Sequence, residues 1–487
     1  MTFSSLARVS EHVDVLIIGA GLSGIGAAAT LATRQPDKTY LVLERRPSSG
    51  GTWDLFRYPG VRSDSDMYTL GYRFKPWLGD KALADGASIL DYVRETAREY
   101  GVDERIRYDQ HVTSADWDSE SATWRVAVDE GDESKTYTAS FLWSCTGYYN
   151  YDEGYTPEFT GRERFRGEIV HPQHWPADLT YAGKKVVVIG SGATAVTLVP
   201  AMADDAAKIT MLQRSPTYIL SLPARDPLAL GLRKVLPRQA AYNVTRIKNI
   251  AQASALYNVS QKQPRLVRRL IRRLNQKQLP EGYPVDVHFK PTYGPWDQRL
   301  CLVPNGDLFR AIRHGKAEVV TDTIDTFTET GLRLGSGAEL EADIIITATG
   351  LNLRLFGGVE VTVDGEKLDA PSTMAYRGLM LSDLPNFAYT VGYTNASWTL
   401  KADLVAEFVC RLLQHMTEVG ARTVVPVRQA GVGEEPFMDF EAGYVLRSLD
   451  ELPKQGDVEP WKLKQSWFHD VRTIRRTDLD DGVLQFR

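Results

Sequence analysis

Two glycine-rich turns carry the clearest chemistry in the sequence. Gly19-Ala20-Gly21-Leu22-Ser23-Gly24 follows the apolar run at 13–18, and Gly190-Ser191-Gly192-Ala193-Thr194-Ala195 follows the run at 186–189. In each, a buried strand turns sharply into a helix whose first N–H groups face outward. The missing side chains let a pyrophosphate approach them. The next strand ends at Glu44 in the first unit and at Arg214-Ser215 in the second. A carboxylate there accepts hydrogen bonds from a ribose 2′-OH, whereas a guanidinium pairs with a 2′-phosphate. Gly19, Gly21, Gly24 and Glu44 are therefore expected at FAD, and Gly190, Gly192, Ala193, Thr194, Arg214 and Ser215 at NADPH. One such turn is weak evidence. Two, each with strand, helix and discriminating residue in place, point to a flavin redox enzyme.

Two further segments exceed chance: Gly50-Gly51-Thr52-Trp53-Asp54-Leu55-Phe56-Arg57-Tyr58-Pro59-Gly60-Val61-Arg62-Ser63-Asp64, and Phe165-Arg166-Gly167-Glu168-Ile169-Val170-His171-Pro172-Gln173-His174-Trp175-Pro176. They resemble the two signatures of Baeyer–Villiger monooxygenases, which are class B flavoprotein monooxygenases, and every defined position matches. Stretches 58–71, 296–307 and 390–401 are similar to a mycobacterial branch of that family that activates a thioamide prodrug. The resemblance covers nearly the whole chain. It implies that NADPH reduces FAD, that O₂ is trapped as a peroxide on the flavin, and that one oxygen enters a ketone to give an ester or lactone. Sulfoxidation of sulfides or thioamides is the implied side activity.

The resemblance also assigns roles. It adds Gly51, Thr52, Trp53 and Asp64 to the residues expected at FAD. Arg299 matches the family's active-site arginine, whose permanent charge stabilises the oxygen anion. Asp64 matches the carboxylate that orients this arginine. Each has a plainer alternative: Arg299 as a surface cation, Asp64 as a helix cap beside Ser63 and Asp66. His171 is expected to couple domain movement to NADP position rather than act as a base, and Trp175 to anchor packing. Trp53 and Tyr58 either wall the flavin or fill the core. Many relatives place a lysine before the arginine; Gln298 stands there, which leaves Arg214 and Ser215 to hold the phosphate.

These groups need elements to position them. A helix is expected over 89–100, short strands within 112–140, and a strand and turn at 140–147. A second strand and turn, 344–350, closes the second unit. A strand at 386–391 then leads into a helix over 400–416, whose N-terminal dipole faces the flavin. The expected fold is α/β, with two Rossmann-like dinucleotide-binding domains. The FAD domain comprises 1–149 and 350–487, the latter ending in a C-terminal wrap. The NADP domain spans 182–349, after a linker at 150–181, and carries a helical insertion at 227–280.

That insertion holds twelve Lys or Arg and no Asp or Glu. Within it, Leu266, Val267, Leu270, Ile271 and Leu274 fall at helical spacing among Arg265, Arg268, Arg269, Arg272 and Arg273. It reads either as an amphipathic helix with a solvated basic face or as a peripheral contact with an anionic membrane.

Composition narrows the remaining classes. A length of 487 residues predicts two to four domains, and the net charge of −5 argues against general nucleic-acid binding. Cys145, Cys301 and Cys410 are far apart, without metal spacing or a C-x-x-C pair. This fits a reduced cytoplasmic protein and excludes a flavoprotein disulfide reductase. The apolar stretch 13–29 lacks a basic start and reads as strand, turn and helix rather than a signal peptide. No run of eighteen apolar residues occurs elsewhere. The partners expected are O₂ and a small ketone, sulfide or thioamide. Two alternatives stand beside the ketone reading: an oxygenase acting chiefly on sulfur or nitrogen, and a membrane-docked redox sensor without turnover. Arg299 and the two signatures speak against the sensor.

Overall fold

In the computed structural model, which describes residues 9–131, 133–298, 300–438 and 443–487, the first strand spans Val9–Ile18 (β1). Its Val15 and Ile17 face one apolar core while Leu16 and Ile18 face another. Burial on both faces is why its last four residues, 15–18, read as a continuous apolar run rather than an alternation. β1 turns into helix Leu22–Arg34 (α1), and Tyr40–Leu43 (β2) lies parallel beside it. The turn is close-packed: a Cβ on Gly24 would stand 1.8 Å from the Gly19 carbonyl oxygen. Helix Gly86–Glu99 (α2) starts at Asp85, whose carboxylate accepts from the Ser88 N–H.

A meander follows, formed by His111–Asp118 (β3), Thr123–Glu130 (β4) and Glu133–Ser144 (β5). β5 works twice. On one edge its residues 133–139 pair antiparallel with β4, and on the other its residues 136–144 run parallel to β1. It therefore joins the meander and the parallel layer into one nine-stranded sheet.

The second unit is an all-parallel five-stranded sheet. It comprises Glu168–Val170 (β6), Lys185–Ile189 (β7), Lys208–Gln213 (β8), Ala317–Thr321 (β9) and Ile344–Thr347 (β10), in spatial order β9-β8-β7-β10-β6. Helix Ala193–Met202 (α3) connects β7 to β8. β6 comes from the stretch expected as a linker. With three residues it is too short to show a period. The chain then returns to the first sheet through Phe387–Tyr389 (β11), parallel to the end of β5, and helix Trp398–Val419 (α4) packs on α1.

Three helices fill the basic insertion: Pro227–Val235 (α5), Arg238–Lys262 (α6) and Pro264–Gln278 (α7). Among the described residues no helix is long and apolar enough to cross a membrane. Two expected features of α7 differ. Of its apolar positions only Val267 and Ile271 are buried, with Tyr218 and Leu300. Arg268 and Arg272 are not free: Arg268 donates to the Tyr218 hydroxyl and Tyr293 carbonyl, and Arg272 makes a two-point pair with Asp286. The helix is rotated so that these two arginines face the domain.

α6 reaches across to the first unit. Its buried Arg246 donates to the carbonyls of Tyr68, at 2.8 Å, and Gly71, at 2.6 Å, and pairs with Asp403 of α4 at 2.6 Å. Burial pushes the Asp403 carboxyl up to about 6, against the pull of Arg246. A carboxyl whose folded pKa is raised contributes stability that is complete at low pH and is lost as pH rises through about 6. Arg246→Ala should cost about 3–5 kcal/mol, because it strands a buried carboxylate and several carbonyls. Without the guanidinium the carboxyl rises further, so the deficit against wild type should shrink as pH falls to about 6. Urea unfolding of both proteins over that range checks the sign; a deficit that grows on acidification would contradict it.

Candidate active site

The first glycine turn opens on a cleft enclosing about 2060 Å³ of atom-free space, part of it continuous with solvent. Helix α1 begins at Gly21 with no side-chain cap, so its leading N–H groups are left for a ligand. At the end of β2, Glu44 is only 6% exposed. One carboxylate oxygen accepts from the Ala20 N–H at 2.7 Å and the other from the Arg46 N–H at 2.9 Å. Burial pushes this carboxyl up, and the two N–H donors oppose the shift. An ionised carboxylate offers about four acceptor sites. Two are used inward, and the group lines the cleft, so a ribose diol suits the remainder.

The first signature folds over this turn. Gly51 has φ 56°, and a Cβ there would meet the Gly21 Cα at 2.9 Å. Thr52 and Trp53 open a short helix, Thr52–Leu55, on the cleft wall. Buried Asp54 anchors it by accepting from Arg46, Ser48, Arg57 and Arg94 at 2.6–2.8 Å. Burial alone would raise the Asp54 carboxyl; these donors hold it below its ordinary value. Trp53 both lines the cleft and packs on the adjacent core, so the two readings of it coexist. Sequence reasoning missed Asp54 as an anchor, and also Tyr151, whose hydroxyl meets the Thr52 hydroxyl at 3.1 Å. Tyr151 lies in the stretch expected as a linker, where no local pattern marks it.

Asp64 lines the cleft, while Asp66 takes the cap of helix Met67–Leu70 by accepting from the Tyr68 and Thr69 N–H groups. The capping alternative thus belongs to Asp66. Arg62, two residues before Asp64, reaches the second unit and pairs with Asp307 at 2.5 Å. Arg299 lies outside the described residues. Around it, Leu300 is buried and Leu302 lines the cleft. Trp296 has φ 75°, a conformation that bulky residues rarely hold without strong packing; Tyr257 of α6 meets its ring edge-on at 6.0 Å.

The second glycine turn contributes Ala193 and Thr194 to the same cleft, and the Thr194 side chain bonds the Tyr58 hydroxyl. Burial pushes that phenol up to about 12. Gly190, Gly192, Arg214 and Ser215 do not line the cleft. Gly192, Arg214 and Ser215 are exposed, and the Ser191 hydroxyl donates to the Ser215 carbonyl at 3.2 Å, tying the turn to the end of β8. Helix α3 also starts at a glycine without a side-chain cap. Arg214 has no ion-pair partner among the described residues.

His171 has both ring nitrogens engaged: Nδ1 accepts from the Gln173 N–H and Nε2 meets the Gly350 carbonyl, each at 3.2 Å. Burial lowers its pKa, so a neutral ring with Nε2 donating fits. Trp175 packs on the second unit's core. At the far wall the Trp398 indole N–H donates to the Ser23 hydroxyl at 2.7 Å, fixing the start of α4 against the first turn.

The flavin-binding monooxygenase-like family profile matches residues 82–364. An NAD(P)-binding Rossmann-like profile matches residues 17–75. The latter covers the Glu44 unit, so it establishes a dinucleotide fold there without choosing the nucleotide. The chain is 61% identical over 480 residues to the FAD-containing monooxygenase EthA of Mycobacterium tuberculosis, covering 98% of each. To the EthA of Mycolicibacterium smegmatis it is 56% identical, with the same coverage. A steroid monooxygenase solved with NADP shares the fold, with a TM-score of 0.73 at 24% identity over 86% of this chain and 88% of that one. With two uncapped helix starts meeting one cleft, and with this extent of identity, the chain belongs to the flavin-binding monooxygenase-like family.

Proposed function

We propose that the protein is an FAD- and NADPH-dependent monooxygenase that inserts one atom of O₂ into ketones, giving esters or lactones, and also oxidises sulfides and thioamides at sulfur. The observation that carries this reading is the placing of segment 50–64. Its tight turn, Trp53 and Asp64 line one cleft together with Glu44, the first glycine turn and the start of the second unit's helix. The residues fit FAD: an uncapped helix start for the pyrophosphate and a buried carboxylate with unused acceptors for the ribose.

Bound flavin supplies the two-electron reduction of O₂ at the expense of NADPH. The side chains do the rest. Glu44 orients the ribose, and the leading N–H groups of α1 hold the pyrophosphate. Tyr148, Trp53 and Trp398 wall the cleft and exclude water, which protects the oxygen-transfer step from wasteful breakdown. Arg299 supplies a permanent positive charge for the developing oxygen anion, and Asp64 orients it. Arg214 and Ser215 hold the 2′-phosphate of NADPH. Oxygen transfer to sulfur as the chief activity is the second reading, favoured by the stretches 58–71, 296–307 and 390–401.

Purified protein with a panel of ketones, sulfides and thioamides under isotopically labelled O₂ tests the reaction. One labelled oxygen per product is expected. NADPH oxidation with no oxygenated product from any of them would sink the proposal.

Arg214→Ala should raise the KM for NADPH about ten- to hundredfold, as expected when a charged hydrogen bond worth about 1.5–3 kcal/mol is lost, and leave that for NADH nearly unchanged. Equal effects on both nucleotides would move the phosphate site elsewhere.

Arg299→Ala should keep FAD and NADPH binding yet lower ketone turnover by about two to three orders of magnitude, the usual cost of removing a preorganised stabilising group. NADPH consumption should continue, with hydrogen peroxide as the product. Asp64→Ala should show a milder form of the same uncoupling. Wild-type ester yield per NADPH in the Arg299 variant would remove this arginine from the mechanism.

A further inference from the structure

The outer face of α7 is unlike that of a packed surface helix. Leu266, Leu270 and Leu274 stack one above another at i, i+4 spacing and are 58%, 53% and 37% exposed. The neighbouring row, Arg265, Arg269 and Arg273, is exposed as well and has no ion-pair partner among the described residues. Around the helix one meets a cation row, a wet leucine row, and then the buried row of Val267 and Ile271. An amphipathic helix serving only its own domain would bury its whole apolar arc. Here half of that arc is left in water beside unneutralised guanidinium groups.

The other two helices of the insertion also leave apolar side chains in water. α5 exposes Val235 at 76%, and α6 exposes Val244, Ile247 and Val259 at 45–48%. No carboxylate lies anywhere in 227–280, although the chain as a whole is net −5. Arg233, Arg246, Lys248 and Arg272 are paired with carboxylates from outside the segment, and the remaining cations leave it net positive, so an anionic surface would attract it.

We propose that the outer face of α5–α7 docks on an anionic lipid bilayer, with the leucine row entering the boundary between headgroups and acyl chains and the arginine row pairing with lipid phosphates. Both rows are needed for the choice of partner. A nucleic acid would match the cations but leave the leucines wet. A second copy of the chain would cover the leucines but oppose two cation rows with no acid between them. A bilayer satisfies both at once.

Flotation of the FAD-loaded enzyme with phosphatidylcholine vesicles, with and without phosphatidylglycerol, tests this. Binding is expected only when phosphatidylglycerol is present, and it should weaken steeply as salt rises. Each cation near such a surface contributes about fivefold to partitioning, so Arg265→Gln, Arg269→Gln and Arg273→Gln together should weaken binding about a hundredfold. Leu266→Gln with Leu270→Gln should also release the enzyme. None of these residues lies in the cleft, so flavin content and NADPH-dependent sulfide oxidation in solution report that each variant is folded. Equal binding to neutral vesicles, no binding to anionic ones, or binding untouched by both variants would overturn the proposal. So would a concentration-dependent dimer, or an acidic protein or nucleic acid, that competes for the same leucines.

Discussion

The Arg246 guanidinium is the most deeply buried of the ion-paired contacts that tie the two dinucleotide units together, beside the Arg62–Asp307 pair. It sits on a helix that belongs to the second unit by chain order, yet its buried bonds run to carbonyls of the first unit and to Asp403. The same helix holds Asp66 through Asn249 at 2.7 Å and meets Trp296 through Tyr257. One element thus touches both the turn that carries Asp64 and the segment that leads to Arg299. A buried ion pair is a poor source of net stability, because desolvation offsets most of its attraction. Its worth here is geometric: a fork-shaped donor aimed at the carbonyls of Tyr68 and Gly71 fixes the register of α6 against that turn, which an apolar contact of equal volume would leave free to slide.

The two proposed nucleotide sites differ in enclosure as well as in charge. Glu44 is buried and already held by two N–H donors, and the first turn lies under the 50–55 loop. Arg214 is exposed and has no ion-pair partner among the described residues, and a Cβ on Gly192 would meet nothing within 4 Å. An enclosed site with a pre-set acceptor suits a cofactor that stays through many turnovers. An open shelf with an exposed cation suits a nucleotide that must arrive and leave. The difference between carboxylate and guanidinium, visible in sequence, is thus matched by a difference in access that sequence does not express.

What could be read in advance depended on range. Both glycine turns, the strands before them and the helices after them were legible because each motif is local and its chemistry constrains consecutive residues. The 50–64 signature likewise announced a cleft wall. The meander joining the parallel layer through β5, the edge strand β6 and the clamp by Arg246 were not legible, since each depends on partners more than a hundred residues away. The basic insertion shows the limit most plainly. Its helical period was evident, but periodicity cannot say which half of the apolar arc the domain covers. Arg268 and Arg272 turn inward to Tyr293 and Asp286, and Arg265, Arg269 and Arg273 turn out.

Cys145 raises the question of how an oxygen-activating site tolerates a thiol in its wall. Its backbone follows β5 directly into the cleft lining, and its side chain is 4% exposed. The thiol hydrogen faces the Thr390 hydroxyl at 3.7 Å, a weak contact. Burial is the larger influence and pushes the thiol up to about 12. Oxidation of cysteine proceeds through the thiolate, and a group titrating near 12 is almost entirely protonated at neutral pH. The small side chain can therefore sit against the glycine turn, where a Cβ on Gly19 would already be 2.8 Å from the Cys145 carbonyl oxygen. The packing that makes room for the dinucleotide also keeps its nearest thiol unreactive.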